Sequence, residues 1–306
     1  MPLSEDVRNE LAAIAPEKGC DRLAELSALF HTAGSFHLRG HGEISVHLDV
    51  ASSAVARRAF SLLRTLGVET EIRTYHRRAF ERGTRYQLHV PGDERALAVL
   101  RDAGVLGAGG RPLPRPPRRV VARACCRGAY LRGAFLGGGS LSGPRAPHLE
   151  LRFADREGAE LITRLAAVGG AELHVHDRGR HAIAYAKGTD AIADTLALAG
   201  ASDAALALDE HAVVGAARAQ ANRLANADHA NLVRTSRAAH VQLRAVRRLE
   251  RDGRLDTLPE RLREIGELRL RYPSLSLRDL AAKCRPPATK AAAHRRLTKL
   301  IRLAER

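Results

Sequence analysis

The side chains best suited to chemistry with a polyanion lie at the C-terminal end of this sequence. Lys290, Arg295, Arg296, Lys299 and Arg302 follow one another with no acidic residue before Glu305. Ala293, Leu297, Leu300, Ile301 and Ala304 recur between them at helical spacing and form an apolar stripe. A helix packed on one side and basic on the other is what a DNA major groove accepts, since Arg and Lys donate to phosphate oxygens and to guanine edges. Thr289, Lys290 and His294, near the start of such a helix, would lie closest to base edges. Arg295, Arg296, Lys299 and Arg302 would reach bases or phosphates. A solvated helix face is the plainer account of the same cations, and His294 alone suits a core hydrogen bond as well as a DNA contact.

The charge distribution favours the first account. The chain has 306 residues and a formal net charge of +16. Residues 221–306 carry 21 Lys+Arg against 9 Asp+Glu, a net of +12. An excess placed so unevenly points to a polyanionic partner for the C-terminal part. Other candidate chemistry is weaker. His174 and His176, two apart on an expected strand, would project to one side, yet no third ligand follows at sensible spacing. The four cysteines form no C-x-x-C pair, and the adjacent Cys125 and Cys126 suit neither an ordinary disulfide nor metal-ligand spacing, so they are expected to be idle thiols. No Walker A sequence, Gly-x-Ser-x-Gly elbow or dinucleotide fingerprint occurs. No cofactor is expected. No apolar run approaches the roughly 20 residues that span a bilayer, and the N-terminal stretch lacks an apolar signal core. The expectation is a cytoplasmic protein without a membrane partner.

What must position these residues is organised by a repeat. LRGAFLGGGSL at Leu131–Leu141 has a divergent copy, LSALFHTAGSF, at Leu26–Phe36. Phe30, Gly34 and Ser35 align with Phe135, Gly139 and Ser140 at an offset of 105 residues (139 − 34). In each copy a helical pattern (20–32 and 127–136) leads to a strictly alternating strand (43–50 and 148–153). A helix (52–66 and 155–167), a hairpin (70–75 with 85–90, and 173–176 with 182–186) and a closing helix (93–103 and 189–198) follow. Gly34 reads as a helix stop. A short amphipathic helix over 5–17, with Leu11, Ile14 and Ala15 on one side, precedes the first copy. The segment joining the copies, GAGGRPLPRPPRR at 107–119, is too rich in breakers to be structured internally.

Residues 209–251 are helical in pattern with few breakers, and Asn222, Asn226 and Asn231 inside them are expected to bond a neighbouring element or to mark a break. A trihelical unit closes the chain. A helix over 258–272 stops before Pro273, and Ser276 caps a second through Lys283 with Asp279 as its capping-box partner. Pro286-Pro287 ends that helix, and Thr289 caps the basic third one. A short helix, a connection and a longer basic helix are the parts of a helix-turn-helix.

The two motif copies resemble the LAGLIDADG motif of homing endonucleases. The resemblance implies motif helices packed at close range, for which Ala28, Ala33, Gly34, Gly133, Gly137, Gly138 and Gly139 supply small side chains. It also implies an acidic metal ligand before the last glycine of each motif. Those positions hold Ala33 and Gly138, which cannot ligate Mg²⁺, and Glu25 or Glu150 would have to substitute. The longer stretches RACCRGAYLRGAFLGGGSLSGP, NRLANADHANLVRTSRAAHVQLRAV and LREIGELRLRYPSLSLRDLAAKCRPPATKAAAHRRLTKLIRLAE resemble the WhiA family of bacterial transcription regulators.

That resemblance implies an α+β fold in which duplicated LAGLIDADG-like αββ units form a saddle sheet, followed by an all-α helix-turn-helix domain. The expected boundaries are 1–205 for the LAGLIDADG-like domain, with halves 1–106 and 120–205, then a helical connector at 206–251 and the DNA-binding domain at 252–306. The implied role is sequence-specific transcription regulation in sporulation or cell-division control, on the nucleoid, without nuclease activity. The partners would be double-stranded promoter DNA together with RNA polymerase or another regulator. The rival is a LAGLIDADG-like endonuclease with an unconventional metal site.

Overall fold

The computed structural model describes residues 3–38, 44–76, 83–143 and 146–306. It divides into two compact units, Met1–Gly215 and Ala216–Arg306. Glu43, from the expected strand over 43–50, lies outside the described residues, as do residues 77–82 and the Pro144–Arg145 pair.

The first unit is a duplicated α+β fold with two separate four-stranded antiparallel sheets. Its first half runs α1 (Leu3–Ala13), α2 (Gly19–Ala33), β1 (Gly34–Leu38), β2 (Ile44–Val50), α3 (Ser53–Thr65), β3 (Glu71–His76), β4 (Thr84–Val90) and α4 (Glu94–Asp102). The second runs α5 (Ala124–Gly138), β5 (Gly139–Ser142), β6 (His148–Phe153), α6 (Arg156–Val168), β7 (His174–Arg178), β8 (His181–Lys187) and α7 (Thr189–Ala199). The strand orders β1-β2-β4-β3 and β5-β6-β8-β7 are the same order twice.

Alternation in the sequence sets which face of each sheet is covered. Val46, Leu48 and Val50 of β2 are buried, as are Leu149, Leu151 and Phe153 of β6, while His47 and Glu150 between them are half-buried. A strand that alternates in this way buries one face and leaves the other to polar groups. Helices α3 and α6 cover the buried faces with Val55, Ala59 and Leu62 and with Ala159, Ile162 and Leu165.

Several expectations need correction. Each motif helix passes directly into a strand, β1 or β5, which the order helix–strand–helix–hairpin–helix omitted. Gly34 does end α2, as its C-cap, but with extended backbone at φ −78°, ψ 147°, and it already pairs with Leu48. It is small because a Cβ there would meet the Phe30 carbonyl oxygen at 2.4 Å; Gly139 makes the same approach to Phe135. Helix α1 ends at Ala13 and not at 17, since the residue before Pro16 is driven from helical backbone. Ile14 is half-buried beyond its end and Ala15 is exposed. The 107–119 segment is not structureless. Gly107 N donates to Arg111 O at 2.8 Å, Leu113 N donates to Val105 O at 2.9 Å, Pro116 is buried, and a 3₁₀ turn follows at Arg118–Val120.

Helix α8 (Ser202–Arg251) runs unbroken for 50 residues, so the asparagines mark no break. Asn222, Asn226 and Asn231 are all exposed, and the Asn231 side-chain oxygen accepts a hydrogen bond from Arg234 one turn on instead of reaching another element. The last turns of α8 supply Ala245, Val246 and Leu249 to the core of the second unit. That unit continues with α9 (Glu260–Arg271), α10 (Leu277–Ala282) and α11 (Lys290–Glu305) around Leu262, Ile265, Leu280, Leu297 and Leu300.

Candidate nucleic-acid interface

Helix α11 is fixed at its start and from beneath. Thr289 caps it, its hydroxyl accepting from Ala292 N at 3.2 Å. Ala293, Leu297, Leu300 and Ala304 are buried along one side. The connection between α9 and α10, on which α11 packs, is held by an unusual residue, Arg269, which is 1% exposed. Its guanidinium donates to Leu275 O at 2.8 Å, Pro273 O at 3.3 Å and Tyr272 O at 3.5 Å, stitching the end of α9 to the start of α10. Burial pulls the Arg269 pKa down, and the three carbonyls are what keep the charge tolerable there. Helix α10 begins at Ser276, whose hydroxyl accepts from Asp279 N at 3.2 Å and donates to the Asp279 carboxylate at 2.7 Å. Lys283, just past α10, stands over the Tyr272 ring at 4.7 Å.

The basic residues then separate by direction. Lys290, His294, Arg295, Lys299 and Arg302 are exposed. At 100° per residue Arg295, Lys299 and Arg302 lie opposite the buried stripe, with Lys290 and His294 on one flank. The second unit's ion pairs among the described residues are Arg248–Asp252 and Arg263–Glu267, and neither uses a cation of α11. Arg296 is different: half-buried on the other flank, it stands beside Cys284, where burial and Glu264 push the thiol pKa up and Arg296 pulls it down. Thr289 is exposed but its hydroxyl is engaged as the cap. Two residues on the outward face were passed over in the sequence because they are uncharged. Ala291 is exposed and Thr298 half-buried there, and a methyl or hydroxyl is the kind of group that would suit a thymine methyl or a base edge. Angular position on the helix was the signal that would have found them.

In the first unit the motif residues form a seam. Helices α2 and α5 run side by side in the same direction. A Cβ on Gly133 would meet Glu25 O at 2.2 Å and the Ala28 Cβ at 2.9 Å, and one on Gly137 would meet the Thr32 hydroxyl at 2.1 Å. One on Gly138 would meet Arg152 O at 2.6 Å and the Thr32 Cβ at 3.1 Å. Ala28 is fully buried, and Ala33 is half-buried on the wall of a cleft shared with Gly137, Gly138, Asp49 and Glu150. Gly34 and Gly139 pack on their own helices and not across the seam.

The acids named as possible substitute ligands have other partners. Glu25 is fully buried and accepts from Arg58 at 2.7 and 3.1 Å and from Arg132 at 2.8 Å, an ion triad that joins the two halves. Glu150 lies 2.9 Å from the His148 ring nitrogen. Arg8, Arg85 and Arg152 line the same cleft as Asp49 and Glu150. His174 and His176 are exposed on β7, and among the described residues they belong to no group of three metal-capable side chains.

Comparisons with known proteins match the chain along both units. Three family models match in turn: the WhiA N-terminal LAGLIDADG-like domain over residues 19–106, the WhiA LAGLIDADG-like domain over 127–218 and the WhiA C-terminal HTH domain over 221–304. The crystal structure of full-length WhiA from Thermatoga maritima superposes with a TM-score of 0.60 at 21% identity, covering 100% of this chain and 98% of that one, which shows a shared fold. The probable cell division protein WhiA of Symbiobacterium thermophilum is 35% identical over 301 residues, covering 98% of this chain and 96% of that relative. The probable cell division protein WhiA of Heliobacterium modesticaldum is 36% identical over 307 residues, covering 100% of this chain and 96% of that relative. With three WhiA family models matching in turn and 36% identity to a relative over the whole length of this chain, the chain belongs to the WhiA family.

Proposed function

We propose that this protein is a sequence-specific DNA-binding transcription regulator that acts by equilibrium binding and not by turnover. The single observation that carries the proposal is the outward face of α11, where Arg295, Lys299 and Arg302 stand exposed opposite a buried stripe. Helix α11 enters the major groove of promoter DNA, with Lys290 and His294 beside it. The domains act as 1–205, 206–251 and 252–306. The relatives are named for cell division, and the regulated genes belong to cell-division or sporulation control. The protein works in the cytoplasm on the nucleoid, and its first unit adds contacts to the DNA backbone, to RNA polymerase or to another regulator.

The test is binding of the full chain to genomic fragments, followed by footprinting and a salt titration. Specific protection is expected, with a log–log salt slope set by the phosphates neutralised. Replacing Arg295 and Arg302 by alanine should weaken binding and flatten the slope; unchanged values would overturn the assignment of α11. The nuclease alternative rests on Asp49 and Glu150, which line one cleft at the motif ends. Plasmid cleavage in Mg²⁺ or Mn²⁺ that is abolished by Asp49→Ala or Glu150→Ala would establish it in place of the regulator.

A further inference from the structure

The offset of 105 residues extends past the motif in the N-terminal direction. It places Cys125 on Cys20, Cys126 on Asp21 and Arg123 on Lys18. Lys18 and Arg123 are the N-caps of α2 and α5, and Cys20/Asp21 and Cys125/Cys126 are the second and third residues of those helices. Because the two helices run alongside each other in one direction, equivalent positions meet. The thiols of Cys20, Cys125 and Cys126 and a carboxylate oxygen of Asp21 all lie within 4.8 Å of one another. Among the described residues this is the one group of three or more metal-capable side chains.

We infer that these four side chains form a structural site for a thiophilic divalent cation of the Zn²⁺ class, clasping the two halves of the first unit at the opening end of the α2–α5 seam. The spacing fits such an ion. Four donors around tetrahedral zinc, with Zn–S near 2.3 Å, stand about 3.8 Å apart. Here the Cys125 and Cys126 sulfurs are 4.0 Å apart, and the Cys20 sulfur is 3.4 Å from Asp21 Oδ1. Three thiolates and one carboxylate select a borderline or soft metal over Mg²⁺ or Ca²⁺, which want oxygen ligands.

The surroundings suit an anionic complex. Binding would release three thiol protons and leave a centre of net charge −2 (a dication with four anionic ligands). Two helix N-termini converge on it, and their unpaired amides favour negative charge. Lys18 flanks it, and the Arg123 guanidinium is 3.9 Å from the Cys20 sulfur. Cys126 is buried, while Cys20, Asp21 and Cys125 are half-buried, so an ion has a way in. All four tetrahedral corners are filled by protein, which makes the site a clasp and not a catalytic centre. It lies at the far end of the seam from Ala33 and Gly138, where the endonuclease family places its metal ligands.

The experiment is a Co²⁺ titration of the full, reduced chain after chelator treatment. Saturation at one Co²⁺ per chain is expected, with thiolate-to-cobalt charge transfer in the near ultraviolet, tetrahedral visible bands and displacement by Zn²⁺. Cys20→Ser and Cys125→Ser should each weaken binding at least about tenfold, which corresponds to about 1.4 kcal/mol, while Cys284→Ser, in the second unit, leaves it intact. Should the serine variants fail to fold, alkylation of the wild-type chain answers the question, with Zn²⁺ protecting Cys20, Cys125 and Cys126 from modification. Absence of a saturable thiolate–cobalt band, or its loss in Cys284→Ser, would overturn the assignment. Isolation of a Cys20–Cys125 or Cys20–Cys126 disulfide from zinc-replete cells would do so as well, in favour of a redox pair.

Discussion

Helices α5 and α11 are 15 and 16 residues long, and both come from Arg- and Ala-rich sequence, but they put those residues to opposite uses. In α5 nearly every side chain from Ala129 to Leu136 is buried. Glycine lets the α2 backbone come close, and the one cation in that stretch, Arg132, is spent on Glu25. In α11 only one stripe is buried, and Arg295, Lys299 and Arg302 stand in solvent. An arginine enclosed with a carboxylate holds a fold together, because a buried charge must be paired. An arginine left exposed on a rigid helix contributes little to stability and is available to a phosphate or a guanine. Burial therefore separates architectural arginines from those left free for a partner more sharply than residue type does.

The contrast can be broken most forcefully at Glu25. Glu25→Ala leaves Arg58 and Arg132 without their shared counter-charge, and should cost about 3–5 kcal/mol in denaturant unfolding of the first unit. A loss below about 1 kcal/mol would mean the triad is no more than a surface pair. At α11 the effect should fall on binding alone. Arg295→Ala with Arg302→Ala should reduce specific DNA affinity by about 1–3 kcal/mol for each lost bidentate base contact, or lower the salt slope by about one for each lost phosphate contact. Thermal unfolding of that variant should stay within about 0.5 kcal/mol of the parent.

Thr289→Ala sharpens the distinction, since its hydroxyl is the helix cap. It should lower the stability of the second unit by about 1 kcal/mol. A large loss of DNA affinity in a fully folded Thr289→Ala variant would instead make it a base contact. The smallest effect expected is on pH dependence. Burial lowers the pKa of His31 from its ordinary 6.5, opposed by its hydrogen bond with Ser27 O. The unfolded chain therefore binds the proton more readily, and stability of the first unit should fall as pH drops below about 6.5. His31→Gln should flatten that part of the curve, which urea midpoints measured between pH 7 and pH 5 would show.

The order of elements apart from β1 and β5, the duplication, the caps of α10 and α11 and the buried face of α11 were legible in the sequence. Each follows from local spacing: period two for β2 and β6, helical period for α11, and hydroxyls at Ser276 and Thr289 placed to meet a free amide. The resemblance to the LAGLIDADG motif pointed to the small residues of the seam. It could not say which of them face across it, because Gly133 and Gly137 meet α2 whereas Gly34 and Gly139 meet a phenylalanine of their own helix. The strands β1 and β5 escaped notice because they are only 5 and 4 residues long and begin at the very glycine that ends each motif helix. The roles of the charged residues were decided only in three dimensions. Nothing local marks Glu25, Arg58 and Arg132 as partners across 33 and 107 residues, or Arg269 as the bolt of the α9–α10 connection. Cys20, Asp21, Cys125 and Cys126 look idle until the 105-residue repeat brings them together at one end of the seam. Sequence alone determined which elements form, since periodicity and capping act within a few residues. The tertiary structure decided what their charges and thiols do, since pairing, burial and ligand geometry depend on groups far apart in the chain.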